Sequence, residues 1–399
     1  MAGAELIGKE EMKEVKEVLE TGVLMRYGFD QQRKGVFKVK EFEQAFAQYC
    51  GAKFALGVTS GSAALKVALK AMDVGPGDEV IVPAFTFLAT YEAVMEVGAV
   101  PVMGDIDDTL NLDPQEIERK KTPYTKAVIP VHMCGSAARI DKIVKIAKKN
   151  KILVLEDNAQ GCGASFKGKK LGTFGDMGIF SFDYYKTITT GEGGMAVTGD
   201  AELAARMRQM SLHGLSHDAW KRYTGGGSWD YRIEAPGYKY NLTDIAAAIG
   251  LHQLRRAETL RLRREDLAHR YLAALAGVDE LELPPVPENR LHSWHLFPIR
   301  LRLDELTLDR NGFIDELRSR GVGCSVHWRP LHLHPYYERT FGWRPEDLPT
   351  ASRIWERLIS LPLFPDLQEA EWQHVVTCVR GLCERHKRSG TPIIRRKAA

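Results

Sequence analysis

At 399 residues the chain is long enough to bury a sizeable core and to divide into two domains. It is 44% hydrophobic and 27% charged, which excludes wholesale disorder, and a net charge of +3 makes no electrostatic case for a nucleic-acid partner. No apolar run is long enough to cross a bilayer, so no membrane partner is expected.

The N-terminus turns polar within ten residues, and no signal-peptide core is expected there. Cys50, Cys134, Cys162, Cys324, Cys378 and Cys383 form no Cys-x-x-Cys pair and read as reduced thiols of a cytoplasmic protein. The cations change type along the chain. Residues 1–190 hold 21 Lys and 4 Arg, whereas residues 191–399 hold 4 Lys and 26 Arg, which opens the question of separate ancestry for the two halves.

Residues 5–20 have the spacing of an amphipathic helix, with Ile7, Met12, Val15, Val18 and Leu19 on one face. An extended loop is expected over 21–38 and a second helix over 38–49. A short apolar strand from Phe54 then runs into Ser60, Gly61 and Ser62 and a helix carrying Leu65, Ala68, Leu69 and Met72. Strand, small-residue turn and helix start put free N–H groups and the positive end of a dipole at one point, which suits a phosphate. The plain alternative is a helix cap by Ser60 or Ser62.

Apolar runs at 79–82, 100–103, 127–131 and 152–155 alternate with helical patterns at 88–97, 113–119 and 140–149. That alternation predicts an α/β fold with a parallel sheet covered on both faces, whose ligands sit at the carboxyl ends of the strands. Phe87 follows one such run and could cover a flat ring; core packing is its other fate. Asp157 and Gln160 follow another. A carboxylate ending a wholly apolar strand needs a partner, unless it merely caps a helix.

Ser181 and Lys186 follow the apolar run 177–182, and a strand is expected again at 194–198. A lysine held between a buried strand and the glycines at 191–194 is desolvated, and its amine becomes nucleophilic. Residues 201–212 read as helix and 213–240 as an aromatic-rich loop with Trp220, Tyr223, Trp229, Tyr231, Tyr238 and Tyr240. A helix starts near Asn241–Asp244, and another spans 255–276.

The remainder predicts a smaller α+β unit with an antiparallel sheet. Its strands are placed at 291–302 and 323–327, its helices at 311–320, 350–359 and 367–386, and a loop at 328–337. His327, His332 and His334 lack the spacing of a zinc motif, so hydrogen bonding to a substrate is favoured over a metal. The domains are expected at 1–255 and 256–386, followed by a basic, disordered tail at 387–399.

The phosphate cradle, aromatic plate, buried acid, amide, hydroxyl and desolvated lysine together are the set that pyridoxal 5′-phosphate needs. The motifs Thr-Ser-Gly-Ser-Ala-Ala-Leu, Pro-Ala-Phe-Thr-Phe-Leu-Ala-Thr, Leu-Glu-Asp-Asn-Ala-Gln, Ser-Phe-Asp-Tyr-Tyr-Lys-Thr-Ile-Thr-Thr-Gly-Glu-Gly-Gly and Gly-Tyr-Lys-Tyr-Asn-Leu-Thr-Asp-Ile stand in the order of a known family. From about residue 5 to 385 the chain resembles the fold-type I aminotransferases of the DegT/DnrJ/EryC1/StrS group, which act on sugars.

The resemblance implies that Lys186 holds the cofactor covalently, Asp157 pairs with its ring nitrogen and Gln160 meets its ring hydroxyl. Ser60, Gly61, Ser62 and Ser181 would hold the phosphate, Phe87 would cover the ring, and Asn241 would reach the phosphate of a neighbouring subunit in a homodimer. Relatives that act as dehydratases carry histidine in place of the lysine; this chain keeps Lys186. Glutamate or glutamine would be the amino donor and a keto sugar the acceptor, walled by His327, Trp328, Arg329 and His332 with the loop at 220–240.

Residues 20–36 and 180–194 resemble enzymes that aminate an eight-carbon keto sugar acid. Residues 211–250 and 321–363 resemble those acting on nucleotide-linked 4-keto-6-deoxy sugars. A sugar dehydratase and a cofactor-binding sensor without turnover are the other readings.

Overall fold

A computed structural model describes residues 7–215 and 232–388. The expected tail falls outside these residues apart from Lys387 and Arg388, as do Trp220, Tyr223, Trp229 and Tyr231 of the aromatic loop.

The strands of the main sheet are β1 (Phe54–Val58), β2 (Glu79–Pro83), β3 (Val100–Gly104), β4 (Thr125–Val128), β5 (Leu153–Asp157), β8 (Met177–Ser181) and β9 (Gly194–Thr198). Two short strands, β6 (Ser165–Phe166) and β7 (Lys169–Lys170), lie between them in sequence. The sheet has seven strands in the order β1-β9-β8-β5-β4-β2-β3, and only β9 runs against its neighbours.

Alternation along each strand sends side chains to two faces. Val80 and Val82 of β2 join one apolar layer and Ile81 the other. The helices of this part are α1 (Lys9–Thr21), α2 (Asp30–Arg33), α3 (Lys38–Cys50), α4 (Gly61–Ala71), α5 (Leu88–Glu96), α6 (Pro114–Lys120), α7 (Ile140–Asn150), α8 (Ala201–Met210) and α9 (Asp244–Arg255). Leu65 and Leu69 of α4, Val94 of α5 and Met207 of α8 cover the first face. On the second, Ile117 of α6 and Ile143 of α7 cover one half, and Phe42 and Phe46 of α3 with Leu251 of α9 cover the other. Both faces are buried, which is why the strands read as continuous apolar runs.

Beyond α10 (Ala257–Ala274) a separate apolar cluster gathers around the antiparallel strands β10 (Leu281–Glu282), β12 (Phe297–Leu301) and β13 (Leu358–Leu361). Helices α11 (Arg310–Ser319) and α14 (Glu369–His386) close it, while β11 (Arg290–Leu291) pairs back onto β6. Helices α12 (Pro335–Phe341) and α13 (Pro349–Trp355) pack Tyr337, Ala351 and Ile354 against the main core instead.

Four expectations change. The strand expected over 291–302 divides: only 290–291 and 297–301 pair, because the chain turns at Trp294, where φ is 50° and its N–H is accepted by His292 Nδ1. The strand expected at 323–327 is a single bridge between Ser325 and Ser360. The helix expected over 350–359 stops at Trp355, and 358–361 pairs with β12 as a strand. The loops expected at 21–38 and 328–337 contain α2 and the start of α12. Arg33 of α2 is wholly buried and ion-pairs with Asp244 at the start of α9.

Candidate active site

The carboxyl ends of β1, β2, β5 and β8 open onto one cavity of about 650 Å³. At the end of β1, Ser60 accepts the Ala63 N–H at 3.0 Å and caps α4, so the cap expected as the plain alternative is real. It leaves Gly61 and Ser62 on the cavity wall beside Ser181 of β8. Gly61 is there for space: an added Cβ would stand 2.8 Å from Ser181 Cβ. Small residues thus let a helix N-terminus and a hydroxyl converge on one point, a geometry suited to a phosphate.

Asp157 ends β5 at the cavity and is 4% exposed. Its Oδ1 accepts the Ala159 N–H at 3.1 Å and its Oδ2 the Thr90 hydroxyl at 2.8 Å. Burial pushes its pKa above the ordinary carboxylate value; those two hydrogen bonds and the nearby Lys186 and His132 pull the other way. The backbone behind it is anchored by Glu156, which accepts the Gly172 and Gly175 N–H groups at 2.9 and 2.8 Å, and the Phe174 N–H. His132 completes this anchor. Its Nδ1 accepts the Ala138 N–H at 3.2 Å, so its proton lies on Nε2, which donates to Glu156 at 2.9 Å.

Gln160 lies three residues beyond Asp157, with Oε1 held by the Cys134 N–H at 2.8 Å. That bond fixes the amide, and among the described residues its N–H₂ has only a 3.7 Å contact to Met133 Sδ. Lys186 is half-buried on the same cavity. Burial depresses its pKa, while Asp183 and Asp157 oppose the shift. The amine is therefore neutral over a wider pH range than an exposed lysine and can act as a nucleophile.

Phe87 lies across the cavity mouth, 42% exposed, with its ring 5.0 Å from that of Trp328 at a 53° tilt. His327 shares this wall, hydrogen-bonded through Nδ1 to Ser360 Oγ at 2.9 Å, and burial lowers its pKa to about 4. Three expected residues stand outside the lining. Asn241 bridges to Val58 beside the end of β1, Arg329 is exposed with its guanidinium 5.3 Å from the Trp355 ring, and buried His332 hydrogen-bonds Ser352.

Four titratable lining residues were not among the expected site residues: Asp183, Tyr185, Glu192 and His295. The first three lie inside the lysine motif and could have been found there. His295 has no local signal, because only tertiary packing brings its turn to the cavity. No group of three His, Cys, Asp or Glu residues suited to a metal occurs among the described residues.

The donor set fits pyridoxal phosphate: a helix N-terminus with hydroxyls for a dianion, a buried acid for a ring nitrogen, an immobilised amide for a ring oxygen, and a desolvated amine. A family profile described as the DegT/DnrJ/EryC1/StrS aminotransferase family matches residues 5–380. The chain belongs to that family. It is an aminotransferase, with the mixed α/β architecture of fold type I.

The spore coat polysaccharide biosynthesis protein SpsC of Bacillus subtilis is 43% identical over 379 residues, 94% of this chain and 95% of its own length. A putative sugar aminotransferase of Streptococcus pneumoniae in its PMP form superposes with a TM-score of 0.87 at 32% identity, covering 95% of this chain and 98% of its own. S. venezuelae DesV, solved with a ketimine intermediate, gives a TM-score of 0.84 at 32% identity, covering 94% and 95%.

Proposed function

We propose that this aminotransferase moves an amino group from glutamate or glutamine to a keto sugar, a nucleotide-linked 4-keto-6-deoxy sugar, in the cytoplasm and for polysaccharide or amino-sugar synthesis. The observation that carries this is the meeting of the depressed lysine Lys186 and the buried acid Asp157 on one cavity at the strand ends. Pyridoxal phosphate is the cofactor, and when bound it supplies the electron sink that lets an amine and a carbonyl exchange.

Ser60, Gly61, Ser62 and Ser181 hold its phosphate, Asp157 keeps its ring nitrogen protonated, Gln160 meets its ring hydroxyl and Phe87 covers its face. Lys186 carries the cofactor between turnovers and, once released, moves a proton at its Nζ on one face only. His327 and Trp328 wall the acceptor. Arg329 and His332 support that wall from outside the lining. Two copies form the active unit, with Asn241 directed at the neighbouring subunit's phosphate. Apolar side chains of the N-terminal arm, among them Leu24, Met25 and Phe29, are exposed in the single chain and suit such an interface.

The resemblance of residues 20–36 and 180–194 to enzymes that aminate an eight-carbon keto sugar acid favours a second reading, in which such an acid is the acceptor. The test begins with a visible spectrum of the protein with pyridoxal phosphate, before and after glutamate. A yellow band that bleaches with glutamate is expected, and keto sugars of both classes are then screened for restoring it. A band indifferent to every amino donor would replace this reading with a dehydratase or a sensor. No band at all would refute the role given to Lys186.

A further inference from the structure

His295 is a buried polar group that the proposed roles leave unused. It stands in the turn before β12, is 6% exposed and lines the same cavity as Lys186. Nδ1 is sealed from solvent with no hydrogen-bond partner among the described residues, which leaves Nε2 as the ring nitrogen open to the cavity. A sealed N–H without an acceptor is costlier than a sealed lone pair, so the proton belongs on Nε2.

The ring is not there by accident of a loose loop. The backbone N–H of His295 donates to Cys134 O at 3.0 Å, while the Cys134 N–H holds Gln160 Oε1 at 2.8 Å, so one residue sets both groups side by side. Ser293 Oγ donates to Gln160 O at 2.8 Å. Gly135, at φ 90°, admits that approach, since an added Cβ would stand 2.0 Å from Ser293 Oγ. Arg264 ties the neighbouring Trp294 O and Leu363 O at 3.4 and 3.0 Å.

We propose that His295 donates a hydrogen bond from Nε2–H to the ring hydroxyl oxygen of bound pyridoxal phosphate, beside the amide of Gln160. This rests on the cofactor placement proposed above. The charged groups bearing on His295 are Lys186, Arg264 and His327, with Asp157, Asp183 and Glu192 on the same cavity. Burial holds the imidazole well below its ordinary range, and the three bases act in the same sense. It is therefore a neutral donor throughout the working pH range.

A donor on that oxygen stabilises its anionic form and weakens its pull on the proton of the adjoining nitrogen joined to Lys186. Removing the donor strengthens that pull and raises the pH at which the proton leaves. The wild-type chain loaded with pyridoxal phosphate is titrated from pH 5 to 9 while the visible band and the melting temperature are followed. His295→Phe removes the donor and keeps a ring; His295→Leu replaces it should the first fail to fold; His295→Gln keeps a donor.

In the apolar variant the band's midpoint is expected to rise by about one pH unit, tenfold in the proton equilibrium, and His295→Gln should bring it back toward wild type. If the wild-type midpoint lies outside that window, the titration is extended until it is reached. An unchanged midpoint in a folded, cofactor-loaded apolar variant overturns the proposal. So does a shift that His295→Gln shares in full, because packing alone would then explain it. A wild-type chain with no visible band overturns the cofactor placement itself, and this contact with it.

Discussion

Replacing Asp157 with asparagine separates a residue that holds the fold from one that holds the cofactor. In the chain alone the carboxylate is buried, accepts two hydrogen bonds and has a raised pKa. A carboxyl raised in the folded state contributes stability that is present below its unfolded value of 3.8 and is lost as pH rises through the higher folded value. Above 3.8 the unfolded carboxyl ionises first, so stability falls as pH rises until the folded carboxyl has ionised too. The amide keeps the shape: its oxygen can accept the Ala159 N–H while its N–H₂ donates to the Thr90 hydroxyl, whose proton turns to Thr86, so Asp157→Asn is expected to melt at or above the wild-type temperature without cofactor.

With pyridoxal phosphate the balance reverses. The lost interaction is a charge-assisted hydrogen bond to the protonated ring nitrogen, worth about 1.5–3 kcal/mol, or about a 10- to 150-fold loss of affinity. The assay titrates cofactor-free protein with pyridoxal phosphate, following intrinsic fluorescence, and repeats the melts with and without cofactor. The wild type should gain several degrees on loading and the variant little. An Asp157→Asn chain that melts well below wild type without cofactor, yet binds it with unchanged affinity, would refute the reasoning.

Capture of pyridoxal phosphate by cofactor-free protein requires the neutral Lys186 amine, so its rate should rise with pH through a midpoint below the ordinary 10.5. A midpoint at or above that value in stopped-flow absorbance would contradict the desolvated lysine. Gly61→Ala should strain the approach of α4 to Ser181 by about 1–3 kcal/mol and weaken cofactor binding; unchanged affinity for pyridoxal phosphate would remove the helix start from the phosphate site. Glu156→Gln puts an amide N–H₂ where backbone N–H groups already point. A loss of about 2–4 kcal/mol in urea unfolding is expected, and less than about 1 kcal/mol would mean the anchor behind Asp157 is not structural.

The main sheet was legible because both its faces are buried. Val80, Ile81 and Val82 are all apolar whichever way they point, and such runs stand out between helical patterns. The second cluster was harder for the same physical reason inverted. Leu358–Leu361 is four residues long, too short for periodicity to separate a strand from the end of a helix, and only pairing with β12 decides it. Residues 291–302 look continuous in sequence because a turn at Trp294 made by a histidine side chain carries no glycine or proline. Within the site, motif residues next to strand ends were readable from topology alone. Arg329 and His332 stand outside the cavity lining because their segment folds onto Trp355 and Ser352.

The site carries polar groups whose placement is unfavourable within the chain itself. Asp157 has a raised pKa, Lys186 a depressed one, and His295 Nε2 and the Gln160 N–H₂ meet no oxygen acceptor among the described residues. Some buried charges elsewhere are met within the chain: Glu156 by three backbone N–H groups and a histidine, and Arg33 by Asp244. Where uncompensated groups of this kind line one cavity, a ligand can complete them. The cofactor would supply a cation for Asp157, a carbonyl carbon for Lys186 and an oxygen for His295 and Gln160. Pyridoxal phosphate should therefore stabilise this chain by more than its contact area alone implies, and Asp157→Asn, Lys186→Ala and His295→Phe should each remove part of that gain without lowering the melting point of the cofactor-free protein.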